Sequence, residues 1–475
     1  MNPNHPEERA IRIIRWLIWL YFWLLILEGV LRKWILPQLS NPLLVIRDPV
    51  ALTIFLFSFR ARVFPRNAWT VVLIVIGVLT TIATFIQLSA YFPLKPLALV
   101  TAYGIHANFF HLPLIFVIAK VLRFEDVKRI GWWTLLLLIP MCVLMVAQFQ
   151  AAPDALLNRT AGGEGEMMMS ALGKVRTAGP FTFVIGVVAY LALASAFFLW
   201  GVLKPSVYPS WLLVAAGSAL VIGIAVSGSR SVVGACAIVF SSLVVVFIFR
   251  RDAINRVGQA LMVALVLGFI VSRTPVFREG VNVLSTRFNE VAEATEQSVA
   301  RGLIARMFSG FGETAFVMNK APFLGYGLGI GTNAGANILT GHSMFLLTEG
   351  EWSRVVLESG PLLGLAYIFW RVALTARIGW ECIKSLKLGN LLPLFIFSAA
   401  FLSMLNGQFG QPTILGFAVL GAGLALAATK EEGAIAAAPP PGPPVSKRVI
   451  RRSVYAERLH GPPAGNGQTN GAVDR

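Results

Sequence analysis

The sequence predicts an all-α fold, a polytopic integral membrane helical bundle of about 12 transmembrane helices with a large helical loop on the outer side. Three observations carry this. Of 475 residues, 56% are hydrophobic and 13% charged, whereas soluble domains carry about 25% charged residues. Apolar runs of spanning length recur along most of the chain. Most Lys and Arg residues fall between these runs rather than in one basic module, so the net charge of +17 points to membrane orientation and an anionic substrate, not nucleic acid.

A span takes about 20 mostly apolar residues, and flanking anchors accommodate shorter ones. Helices are therefore expected near 13–31, 49–64, 69–89, 97–119, 132–150, 180–203, 210–227, 231–249, 257–273, 357–380, 389–406 and 413–429. The first run is too long for a signal peptide and lacks a small-residue cleavage site, so it is expected to stay as a spanning helix. With both termini cytoplasmic, Arg9, Arg12 and Arg15, the 60–66 and 120–129 connections, Arg250, Arg251 and Arg256, and Lys384 and Lys387 all fall on the cytoplasmic side. Arg32, Lys33, Arg47, Lys174, Arg176 and Arg230 fall on the outer side. Such exceptions are functional candidates.

Two outer loops result. Residues 151–179 contain the flexible Gly162-Gly163-Glu164-Gly165-Glu166 and end in Lys174-Val175-Arg176-Thr177-Ala178-Gly179. Residues 274–356 contain Leu284, Phe288, Val291, Val299, Leu303 and Met307 at helical spacing, an amphipathic pattern, followed by a Gly-rich turn over 322–333. Residues 1–429 thus form one membrane domain. Residues 430–475, Pro-rich and basic, read as a disordered cytoplasmic tail. Cys142, Cys236 and Cys382 lie in or at the end of apolar segments and read as packing residues, with neither a disulfide framework nor zinc spacing.

Polar residues concentrate at the outer face. Ser227-Gly228-Ser229-Arg230 joins two apolar runs with almost no loop, so Arg230 is either a snorkelling anchor or a cation for phosphate or diphosphate. Arg176 directly precedes an apolar helix and reads equally as an anchor or a ligand-binding group. The stretch 340–371 holds His342, three glutamates and Arg354 just before an apolar run. A neutral imidazole accepts a proton from a hydroxyl near neutral pH, although a lone histidine is more often structural. Glu358 suits a positive helix end, and Arg354, four residues earlier, is positioned for a local ion pair with it. His106 and His111 lie five apart, off a common α-helical face, which argues against a metal site there. Arg47-Asp48 reads as a self-satisfying pair. With no Asp-x-Asp and no phosphate-binding Gly-rich loop, neither a dedicated divalent-metal site nor ATP hydrolysis is expected.

The ordered set Lys174-Val175-Arg176, Ser227-Gly228-Ser229-Arg230, Gly325-Tyr326-Gly327-Leu328-Gly329 and His342 followed by Glu358-Ser359-Gly360-Pro361-Leu362-Leu363-Gly364 resembles the bacterial O-antigen ligase and O-antigen polymerase superfamily. Ser343 departs from the asparagine many relatives carry there, and Glu28-Gly29-Val30-Leu31-Arg32-Lys33-Trp34 suggests a distinct subgroup. The resemblance implies an inner-membrane, metal-independent glycosyltransferase without cofactors, active at the periplasmic face in lipopolysaccharide or exopolysaccharide biosynthesis. Its donor would be a glycan on polyprenyl diphosphate. Its acceptor would be a hydroxyl of lipid A-core or of another carrier-linked repeat unit, and polysaccharide-assembly proteins would be further partners. Arg176 and Arg230 would hold the diphosphate, with Arg306 or Arg301 as a further cation. His342 would orient or deprotonate the acceptor, and Glu358 would fix the histidine or the acceptor-side loop. The rival readings are a transporter or flippase of lipid-linked sugars and a non-catalytic scaffold of a polysaccharide assembly complex.

Overall fold

A computed structural model of the chain describes residues 6–162, 167–204, 206–249, 268–295, 312–342 and 344–430, with isolated positions between 258 and 266. Helix α1 (Pro6–Val30) carries Glu7 and Glu8 in its first turn, where the helix dipole favours acids. It runs into a π-helical turn, Leu31–Ile35. Short turns at Pro37–Leu39 and Ser40–Leu43 lead to α2 (Asp48–Arg60). Asn67 caps α3 (Ala68–Leu88) by accepting from Thr70 N–H at 2.9 Å. Next, α4 (Leu94–Ile105), a second π-helical turn, His106–Phe110, and α5 (Leu114–Val121) form a single path bent by 41°.

At the start of helix α6 (Phe124–Gln150), Asp126 accepts from Arg123 N–H at 3.0 Å. Helices α7 (Val184–Leu203), α8 (Ser210–Val226) and α9 (Arg230–Phe249) follow. Then come α10 (Pro275–Thr295), α11 (Asn333–Thr340), α12 (Glu351–Lys387), α13 (Leu392–Asn406) and α14 (Pro412–Ala428). Helix α12 is broken at Gly360, φ 77°, directly before Pro361. Proline lacks the N–H and disfavours helical geometry at the residue before it. Among the described residues the single β-feature is an antiparallel bridge between Met169 and Val175.

The bundle closes around α7 and α14, whose side chains are almost all buried. Helix α14 achieves this with small residues: Gly421 abuts Ala400 of α13, and Gly423 abuts Ile118 of α5. Close backbone approach of this kind is how helices pack where lipid supplies no hydrophobic contrast. Cys142, Cys236 and Cys382 are buried and unbonded within the same core.

The protein is membrane-embedded, and among the described residues seven helices are long and apolar enough to cross a membrane, or eight if the bent α4–α5 path is one span. The sequence led to a larger number, and the difference has a physical reason. Helices occur at the expected positions, but α8, α13 and α14 have 17, 15 and 17 residues. At about 1.5 Å per residue they fall short of a hydrocarbon core of about 30 Å. The expected span 257–273 lies largely outside the described residues, as does the tail beyond 430. The first part of the amphipathic pattern is realised in α10, where Val283 and Leu284 are buried. Val299, Leu303 and Met307 lie outside the described residues.

Candidate functional site

Arg176 belongs to a hairpin over 167–178. Arg176 N–H donates to Met168 O at 2.8 Å and Ser170 N–H to Lys174 O at 2.6 Å, with Leu172 and Gly173 turning at φ 55° and 70°. Two side chains tie this hairpin to the turn between α8 and α9: Ser170 Oγ donates to Gly228 O at 3.0 Å and Thr177 Oγ1 to Val226 O at 3.1 Å. Gly228 has φ 58°, and a Cβ there would lie 2.7 Å from Ser170 Oγ, so both conformation and space call for glycine. Lys174 Nζ pairs with Glu279 of α10 at 2.8 Å. Arg176, next to Thr177, and Arg230, two residues after Gly228, are therefore carried by segments in direct contact, and both are partly exposed. Arg301 and Arg306 lie outside the described residues.

The π-helical turn after α1 supports this hairpin's base. Lys33 is buried and donates to Gly179 O at 3.2 Å and Phe181 O at 3.3 Å. Gln148 brackets the same residue, donating to Gly179 O at 3.1 Å and accepting from Gly179 N–H at 2.8 Å. The charge of Lys33 that stood out in the sequence is thus directed at backbone carbonyls.

Glu358 is fully buried. One carboxylate oxygen meets Arg354 Nη1 at 2.6 Å and the other accepts from Gly331 N–H at 2.8 Å. Tyr326 N–H donates to Leu357 O at 2.7 Å and Gly327 N–H to Glu358 O at 3.0 Å. The Gly-rich turn, with Gly325, Gly327 and Gly329 all at positive φ, is thereby fastened to the α12 break. The Glu358 side chain is thus engaged by Arg354 and by the backbone of the Gly-rich turn. His342 follows the left-handed cap Gly341 of α11 and is exposed. Its N–H donates to Thr340 Oγ1 at 3.2 Å. Among the described residues no hydrogen bond or ion pair joins it to Glu358.

Sequence reasoning missed a buried polar chain. Arg47 and Asp48 do not satisfy each other: Arg47 Nε lies 3.3 Å from Glu28, which also holds Arg32 at 3.1 Å, and Arg47 reaches Pro412 O. Asp48 takes His106 Nδ1 at 2.8 Å and His111 Nε2 at 3.0 Å. The π-helical turn explains the error. Residues five apart lie about 140° apart on an α-helix, but the wider π-helical turn, with its i to i+5 hydrogen bonding, swings them closer to one face. Asn108 in the same turn accepts from Arg354 Nη2 at 2.9 Å, and Arg354 also holds Glu351, which holds Arg371 at 2.9 Å. Ionisable residues inside apolar runs were the available signal.

A scan against protein-family models finds no match for this chain, and neither does a search of curated proteins.

Proposed function

We propose that the chain is a membrane glycosyltransferase of the O-antigen ligase or polymerase type. It would move a glycan from a polyprenyl diphosphate carrier to a hydroxyl on lipid A-core or on another carrier-linked repeat unit. The observation that supports this best is the contact between the Arg176 hairpin and the Arg230 turn, made by Ser170 and Thr177. A departing diphosphate gains negative charge, and guanidinium groups held in place beforehand stabilise it by on the order of 3 kcal/mol each. In this reading all 12 expected segments cross the inner membrane, with the short α8, α13 and α14 accommodated by local bilayer thinning and snorkelling flanks. Both termini are then cytoplasmic, and the arginine-bearing ends face the periplasm. Exposed His342 receives the acceptor proton, and Glu358 acts as a positioning residue through Gly331 and the Gly-rich turn preceding α11.

The test is transfer by purified full-length protein in lipid nanodiscs, with a carrier-linked glycan donor and an acceptor, and with neither ATP nor metal added. Covalent transfer is expected, with His342→Ala abolishing it while the elution profile stays unchanged. Undiminished transfer by that variant would overturn the site. The broken α4–α5 path, with charged groups buried beside it, favours one second reading, a transporter of the lipid-linked sugar. Movement of carrier between leaflets without covalent transfer would select that reading.

A further inference from the structure

We propose that Asp48, His106 and His111 form a binding site for a divalent transition-metal ion of the zinc type, where α2 meets the break between α4 and α5. The proposal stands apart from the glycosyltransferase reading and does not depend on it. One ligand atom from each residue lies within 4.8 Å of the others. His106 Nδ1 and His111 Nε2 lie 2.8 and 3.0 Å from the two different oxygens of the Asp48 carboxylate, near the roughly 3.3 Å between donors around a tetrahedral ion with bonds of about 2.0–2.1 Å. Small side-chain shifts would admit an ion. Two imidazoles and a carboxylate suit zinc, iron, nickel or copper rather than magnesium or calcium.

The surroundings fit the same reading. His111 Nδ1 lies 3.3 Å from Tyr21 Oη, which itself accepts from Arg47 Nη1 at 3.3 Å. With Nε2 on an ion, Nδ1 carries the proton and donates to that fixed oxygen, the outer-shell support that metal-bound histidines have. Both histidines are buried, whereas the Asp48 side chain is 26% exposed and leaves an approach from one side. His106 Nε2 is buried without a hydrogen-bond partner among the described residues. The nitrogen facing Asp48 is Nδ1, so an ion would be held through Nδ1 while Nε2 carries the ring proton. Glu28 is engaged by Arg32 and Arg47, so the carboxylate facing the imidazoles is that of Asp48. A bound ion would clamp α2 to the π-helical turn whose Asn108 holds Arg354.

The experiment is metal analysis of the full-length detergent-purified protein, carrying no histidine tag, by plasma mass spectrometry. A second measurement strips the protein with chelator and titrates it with Co2+, followed by visible absorption. The expected result is about one transition-metal ion per chain and a cobalt spectrum that Zn2+ displaces. His106→Ala, His111→Ala and the isosteric Asp48→Asn should each lower Co2+ affinity at least about tenfold. Where an alanine variant fails to fold, the stripped wild-type chain and Asp48→Asn decide the matter. No ion in the purified protein together with no cobalt spectrum would overturn the proposal, as would an unchanged spectrum in the variants. Because metal content is read without any transfer assay, failure here is distinct from failure of the glycosyltransferase reading.

Discussion

Glu358 Oε2 lies 2.6 Å from Arg354 Nη1, and both side chains are buried. Arg354 also contacts Glu351 at 3.0 Å and Asn108 at 2.9 Å, and Glu358 holds Gly331 N–H at 2.8 Å. One hydrogen-bonded unit thus joins the start of α12, the π-helical turn after α4 and the Gly-rich turn before α11.

Glu358→Gln removes one member of a buried ion pair and leaves the Arg354 charge partly uncompensated. Losses of about 3–5 kcal/mol follow from such changes. The variant is expected to melt well below wild type in detergent by intrinsic fluorescence. Lys384→Ala, which removes an exposed partner of Glu381 at 3.4 Å, should melt with wild type.

Gly228→Ala places a Cβ 2.7 Å from Ser170 Oγ at a residue with φ 58°. The Arg176 hairpin must then lift off the Arg230 turn. Faster hydrogen exchange over 168–178 is expected with little change in the melting of the bundle, and Ser170→Ala in the same chain should restore part of the protection. Exchange equal to wild type would show that the two segments do not depend on this contact.

Lys33 and Gln148 share Gly179 O as acceptor, at 3.2 and 3.1 Å. Each single change to Leu leaves that carbonyl one donor and should cost about 1–3 kcal/mol through the other groups affected. The double variant orphans the carbonyl, so a double-mutant cycle on thermal unfolding should show a loss exceeding the sum by about 0.5 kcal/mol or more. Strict additivity would contradict the shared role.

Gly360 sits at φ 77°, and a Cβ there runs into the carbonyl of Phe323. The left-handed conformation alone costs a non-glycine residue about 1–2 kcal/mol. Gly360→Ala is expected to lower the melting temperature and the folded yield, whereas Gly341→Ala, with nothing near its added Cβ, should cost only the conformational part.

Apolar run length made the helices legible, since a segment such as Val184–Leu203 has few other stable conformations in lipid. It gave a poorer account of spans, because Leu392–Asn406 is largely apolar yet only 15 residues long. Local charge spacing located the Arg354 and Glu358 pair, four residues apart on one helix. The Asp48, His106 and His111 cluster was hidden because its geometry depends on a π-helical turn that residue spacing does not reveal. The partners of Arg47 were hidden too, because Glu28 and Pro412 come to it from distant segments.

The most direct test of the central claim is the rate of glycan transfer from a polyprenyl diphosphate donor by purified wild type, Arg176→Ala, Arg230→Ala and the corresponding lysine variants. Each alanine variant should lose about 100-fold or more. The lysine variants, which keep the charge but not the bidentate geometry, should fall between. Wild-type protein that transfers nothing, or alanine variants that transfer at the wild-type rate, would contradict the account.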